Sequence, residues 1–119
     1  MANKTEVGYV FARANLTPLF SVIVTSEDAS VCKPAPDCYL AGLTKLNERR
    51  QQERELPLLA AECLAIEDSP PGIQSARAAG MHTLGITNTV SAAALREAGA
   101  EVVTASLADW TVAAVELLF

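Results

Sequence analysis

The chain has one histidine, one tryptophan and only 5% aromatic residues, and no glycine-rich loop. Neither G-x-G-x-x-G nor G-x-x-x-x-G-K-[ST] occurs, so the dinucleotide fingerprint and the Walker-type phosphate loop are both missing. Nine Lys and Arg face fourteen Asp and Glu, for a formal charge of −5. No basic stripe is present, which argues against a nucleic-acid partner. No apolar stretch reaches membrane length and no secretory leader pattern is visible, so no membrane partner is expected. The three cysteines, Cys32, Cys38 and Cys63, are odd in number and lack zinc-type pairing. They read as reduced, mostly buried thiols of a cytoplasmic protein. No internal repeat or low-complexity tract is found.

What is present is half hydrophobic and 119 residues long, enough for one domain with a single core. Residues 6–15 carry Val7, Val10, Phe11 and Ala14 at helical spacing, and Asn15-Leu16-Thr17-Pro18 closes that helix. Residues 20–25 form a short β-branched strand. Pro36 or Asp37 opens the next helix, with Tyr39, Leu40, Leu43 and Leu46 on its apolar face. The charge-dense stretch 47–56 is read as a solvated helix extension or surface loop. Residues 63–66 form a second strand. Ser69 then caps a helix over 71–79, with Pro70 at its start and Gly80 closing it. A third strand covers 82–87, a helix capped by Ser91 runs to 98 and closes at Gly99, and a fourth strand covers 101–104. A last helix runs from Ser106 or Leu107 to 118, with Leu107, Trp110, Val115 and Leu118 toward the core. Strand–helix alternation with apolar strands predicts a parallel sheet covered on both faces and joined by right-handed crossovers.

Two clusters carry chemistry. Glu67-Asp68 ends an apolar run and precedes Ser69-Pro70-Pro71-Gly72, which places two carboxylates at a strand-to-helix turn. In parallel sheets ligands bind at that edge. Lys33-Pro34-Ala35-Pro36-Asp37 places an ammonium at a similar turn. A cation and two acids at one sheet edge suit a phosphate and a hard divalent metal. Ser69 is read as a cap, since no base lies near it, and His82 as a structural residue at a strand start. Gly72 is read as room for close helix packing, and Trp110 as core. Cys32 adjoins Lys33 but has no evident activating partner.

The segments FSVIVTSEDASVCKPAPDCY (20–39) and AIEDSPPGIQSARAAGMHTLG (65–85) together resemble the haloacid dehalogenase-like (HAD) hydrolase superfamily, in its β-phosphoglucomutase and phosphoglycolate phosphatase branch. The resemblance covers roughly the whole chain, with E-D-S-x-x-G-I followed by A-A-G-M as its most specific part. It implies an α/β fold: a HAD-like Rossmannoid three-layer sandwich around a parallel sheet. It also implies a magnesium-dependent phosphatase or phosphomutase acting on small phosphorylated metabolites. In such enzymes an aspartate on the first strand attacks phosphorus and a second aspartate serves as acid and base. By resemblance Lys33 is the catalytic, phosphate-holding lysine, Asn3 belongs to the phosphate-binding turn, Asp68 is a direct magnesium ligand, and Glu67 ligates magnesium or orients a bound water.

The departures from the family pattern are equally specific. D-x-D-G-T is absent, and Asp109-Trp110-Thr111 is a poor substitute with one aspartate near a helix start. Met1-Ala2-Asn3-Lys4-Thr5 aligns with the T-N-K turn after the family's second strand, and Ala2 then stands where a hydroxyl is needed. Residues 1–119 are therefore read as the C-terminal part of a HAD-like core domain, without first-strand motif or cap. Such a chain is expected to be inactive alone, because this route needs a nucleophilic carboxylate. The alternative is a non-catalytic binding module that pairs its open sheet edge with another chain, or with itself, using residues 48–55 as a contact surface. The missing strands would leave a gap of roughly 14 Å in the sheet. The expectation is that the sheet closes, with residues 21–24 pairing directly with 63–66 and Lys33 brought to the edge that holds Asp68.

Overall fold

The computed structural model of the protein describes residues 2–16, 19–29, 31 and 33–119. Among these residues five α-helices and three strands follow in the order α1 Lys4–Arg13, α2 Asp37–Gln52, β1 Leu64–Glu67, α3 Pro70–Ala78, β2 His82–Ile86, α4 Ala92–Glu97, β3 Val102–Thr104 and α5 Val112–Leu118. The sheet has the order β1-β2-β3 and both pairings are parallel. Ile66 faces Leu84 and Leu84 faces Val102 in register. This is the α/β architecture with a parallel sheet expected from the sequence.

The βαβ units form where local signals are strongest. The Ser69 hydroxyl accepts the Gly72 N–H and Pro70 opens α3, so cap and proline agree on the start. Gly80 ends α3 at φ +84° and Gly99 ends α4 at φ +111°, a region that favours glycine. Ala65, Ala76, Ala79 and Met81 form one buried cluster, with Tyr39 and Leu43 of α2 against it. Ile73, Leu95 and Ala100 form another. Because strand side chains alternate, Ala65, Glu67 and Gly85 lie on one face, under α2, α3 and α4. Ile66, Leu84 and His82 lie on the other, where Trp110, Val115 and Phe119 cover them in part. Helices thus flank both faces of the sheet.

Four expectations are corrected. Residues 20–25 form no strand: the segment is extended but joins no ladder, so the sheet has three strands rather than four and the expected pairing with 63–66 is not made. Its carbonyls are taken instead by α2, with Lys45 Nζ donating to Ile23 O at 2.9 Å and Arg49 Nη1 to Ser21 O at 2.6 Å. The last helix begins later than predicted, at Val112, because the Thr111 hydroxyl caps the Ala114 N–H and residues 107–110 make a turn first. Leu107 and Leu118, expected in the core, are exposed. So is Leu40, which α2 turns outward. The solvated reading of 47–56 holds: α2 runs on to Gln52 with Arg49–Glu53 and Arg50–Glu55 ion pairs at the surface. The helix stop at Thr17-Pro18 and the thiol of Cys32 lie outside the described residues.

Candidate active site

The site is built where β1 hands over to α3. Glu67 is the last residue of β1 and points to the helix-covered face, where its side chain is only 7% exposed. Two donors meet on one of its oxygens: the Lys33 ammonium and the Tyr39 hydroxyl both bond to Oε1. The Lys33 Nζ also lies 5.7 Å from the centre of the Tyr39 ring. The other oxygen is packed against the first turn of α3. A Cβ built on Gly72 would stand 2.0 Å from Glu67 Oε2, so glycine is the residue that lets the carboxylate lie there. A carboxylate at a helix N-terminus is also favoured by the helix dipole.

Lys33 is 38% exposed at its side chain, so its ammonium straddles the buried acid and solvent. Of its three N–H donors, one engages Glu67. Burial, and then the Glu67 carboxylate beside it, hold the Tyr39 hydroxyl far above the ordinary phenol range. That group stays a proton donor. The helix carrying Tyr39 is locked to α3: the buried Ser75 hydroxyl donates to Ala35 O at 2.6 Å and lies 3.7 Å from Cys38 Sγ.

Asp68 stands one residue on, in a cleft of 260 Å³ shared with Ile66, Glu67, Ile86 and Asn88. Thr89 Oγ1 donates to the Asp68 carbonyl at 2.9 Å, fixing the backbone across the two strand ends. The donor chemistry suits magnesium in part. That ion is bound through one or two carboxylates with waters and phosphate oxygens completing its shell. Asp68 can bring a carboxylate and Asn88 an amide oxygen to the cleft. Among the described residues no three His, Cys, Asp or Glu side chains converge into a full metal site.

The structure therefore joins Lys33 to Glu67, the residue before Asp68, although residues 20–25 did not close onto β1. Asn3 is placed differently. Its side chain caps α1, accepting the Glu6 N–H at 2.9 Å and donating to Glu6 Oε1 at 2.7 Å. Its helix is tied to the following loop by Ser26 N to Ala2 O at 2.9 Å and Lys4 N to Glu27 Oε1 at 3.3 Å. Tyr39 is the site residue that sequence reasoning missed. Its place two residues after Asp37, in the first turn of a helix starting at the site, was the available signal. Ser69 is a cap, as expected. His82 is structural: its Nδ1 lies 3.0 Å from Glu101 Oε2 and its ring meets Phe119 edge-on. Cys38 and Cys63 are free, half-buried thiols, and burial pushes the Cys63 thiol up, away from reactivity.

Comparison with known proteins shows the family of the chain. Residues 2–80 match the sequence profile of the haloacid dehalogenase-like hydrolases, and the chain belongs to that family. It is 42% identical over 73 residues to the plasmid-encoded protein CbbY of Cupriavidus necator, covering 61% of this chain and 25% of that one. It is 34% identical over 80 residues to hexitol phosphatase A of Escherichia coli, covering 67% of this chain and 32% of the phosphatase. A HAD family hydrolase from Deinococcus radiodurans, solved with bound phosphate and sodium, superimposes with a TM-score of 0.63 at 31% identity, over 89% of this chain and 45% of the other. The chain thus spans about a quarter to a third of these two curated relatives and under half of that structure. No helix among the described residues is long and apolar enough to cross a membrane.

Proposed function

We propose that residues 1–119 are the C-terminal part of a HAD-like core domain and supply the lysine-and-acid half of a phosphatase or phosphomutase site for small phosphorylated metabolites. The observation that carries this is the meeting of Lys33 with Glu67, 34 residues apart in sequence, beside Asp68 at the C-terminal end of β1. Lys33 would hold phosphoryl oxygens with the N–H groups that Glu67 leaves free. Asp68 would hold magnesium, with Glu67 orienting a bound water. Bound there, the ion would neutralise charge on phosphoryl oxygens. No residue of the chain matches the family's attacking aspartate, so the chain alone is expected to bind without turning over. Cytoplasmic residence fits the free thiols.

The test combines turnover and calorimetry. We expect no magnesium-dependent hydrolysis of a generic phosphate ester, and weak magnesium binding that disappears in Asp68→Ala. Family-like turnover abolished by Asp68→Asn would overturn the inactive reading. Tight binding that survives Asp68→Ala would overturn the metal assignment.

A second reading has its own observation. Among the described residues β1 pairs only with β2, so its outer edge carries no ladder, and Ile66 on it is 46% exposed. A binding module that adds a strand there, from another chain or a second copy, is compatible with that edge.

A further inference from the structure

Tyr39 was read from sequence as one apolar position on a helix face, and nothing in the proposed chemistry uses it. Its hydroxyl nevertheless ends on the carboxylate that restrains Lys33. We infer that Tyr39 is a positioning residue that sets how strongly Glu67 holds the Lys33 ammonium, and so sets the affinity of the site for a phosphate group. The inference rests on the phosphate reading of Lys33 given above.

One carboxylate oxygen receives two donors. Glu67 Oε1 accepts from both Lys33 Nζ and Tyr39 Oη, inside a carboxylate that solvent hardly reaches. An ionised carboxylate oxygen can accept two such bonds. The phenol draws negative charge toward itself, so less remains to grip the ammonium. A phosphate that reaches the solvent-exposed side of Lys33 competes with Glu67 for the same cation. Removing the hydroxyl leaves Lys33 as the sole donor to that oxygen. Lys33 is then held more firmly, and the field around its ammonium becomes more negative. Both changes disfavour phosphate. The geometry is also fixed from below: Ser75 of α3 holds Ala35, just ahead of α2, and Cys38 within it, and Gly72 leaves room for the Glu67 carboxylate beside α3.

Tyr39→Phe is the informative variant. It keeps the ring against Ala65, Ala76 and Met81, and its face toward Lys33, and deletes only the hydroxyl. The probe is inorganic phosphate, titrated into the full chain and followed by amide and lysine side-chain NMR. We expect Tyr39→Phe to weaken phosphate binding about fivefold, in the range of coupling between contacting groups. Glu67→Gln should strengthen it, and Tyr39→Phe added to Glu67→Gln should have no further effect. An unchanged affinity in Tyr39→Phe, or an equal loss with Glu67→Gln already present, would overturn the inference. Lys33→Met separates the two levels. If it binds phosphate as the wild type does, or if the wild type binds none, the phosphate reading fails and this inference with it. If Lys33→Met abolishes binding while Tyr39→Phe leaves it intact, only the positioning role fails. Should Glu67→Gln not fold, the Lys33 Nζ resonance decides between wild type and Tyr39→Phe. A shift against an otherwise unchanged amide spectrum supports the inference, and an unmoved resonance overturns it.

Discussion

Glu67 is the residue on which the site turns, and Gly72 is the reason it can. A buried carboxylate needs its charge met, and here an ammonium and a phenol meet it on one side while the helix start accepts it on the other. A methyl at residue 72 would stand 2.0 to 2.6 Å from three atoms of that carboxylate group. Glutamate side chains can usually swing aside, but this one would have to leave Lys33 and Tyr39 to do so. Gly72→Ala is therefore expected to destabilise the chain by about 1–3 kcal/mol, as overpacking does. Gly42 is the internal control. It lies within α2, and a Cβ there would meet only Val24 Cγ2 at 3.8 Å, ordinary contact. Gly42→Ala should stabilise by up to about 1 kcal/mol, the helix preference of alanine over glycine. Urea unfolding of the two variants should move the midpoint in opposite directions. Equal shifts would show that the Glu67 packing is not what residue 72 protects.

At the scale of elements, segments whose signals are local were legible and those that depend on distant partners were not. β1, α3 and β2 follow from an apolar run, a Ser-Pro start and a Gly stop, all within a few residues of one another. That an ammonium and an acid meet at the end of β1 follows from the turn chemistry at Lys33 and Glu67. Tyr39 was not, because its hydroxyl answers to a residue 28 positions away. Residues 20–25 were misread for a related reason. Alternating β-branched residues describe an extended segment, but a strand needs a neighbour, and α2 supplies cations in place of a ladder. Asp28 completes that arrangement. Its carboxylate bonds to Lys45 at 2.9 Å and accepts the Thr25 N–H at 2.7 Å. The Lys45 hydrogen bond, then that of Thr25, lowers its pKa from 3.8 to about 2. A depressed carboxylate adds stability that is complete above the unfolded value and lost as pH falls through the folded one. The tether is thus expected to weaken between pH 3.8 and about 2. Thermal midpoints of wild type and Asp28→Asn should converge across that window on acidification. A constant difference between them would show that Asp28 does not hold the segment through its charge.

For the whole molecule, the distribution of the core sets the expectation. The fully buried apolar side chains described all fall between Ala65 and Ala100, while α1 buries none. The radius of gyration is 14.6 Å, against about 13.5 Å for a compact domain of this length. A parallel sheet is ordinarily buried on both faces and covered at its edges. Here β1 leaves its outer edge unladdered, and Ile66, Leu107, Val112 and Leu118 are exposed on or near the half-covered face. Backbone groups at such an edge can be satisfied by water, but the apolar side chains beside them cannot. We therefore expect the chain to self-associate with rising concentration, through strand addition at β1. Sedimentation velocity across a concentration series measures this directly. Ile66→Lys places a charge on the exposed face of the edge strand without touching Ala65 or Glu67, which face the core. Burying an isoleucine is worth about 1.5–3 kcal/mol, so this change should weaken association by about tenfold or more. The thermal midpoint of the dilute chain should stay near that of the wild type. A single monomeric boundary at every concentration would remove self-association and weaken the binding-module reading. Association that Ile66→Lys leaves untouched would move the contact away from β1, to the exposed face of α5.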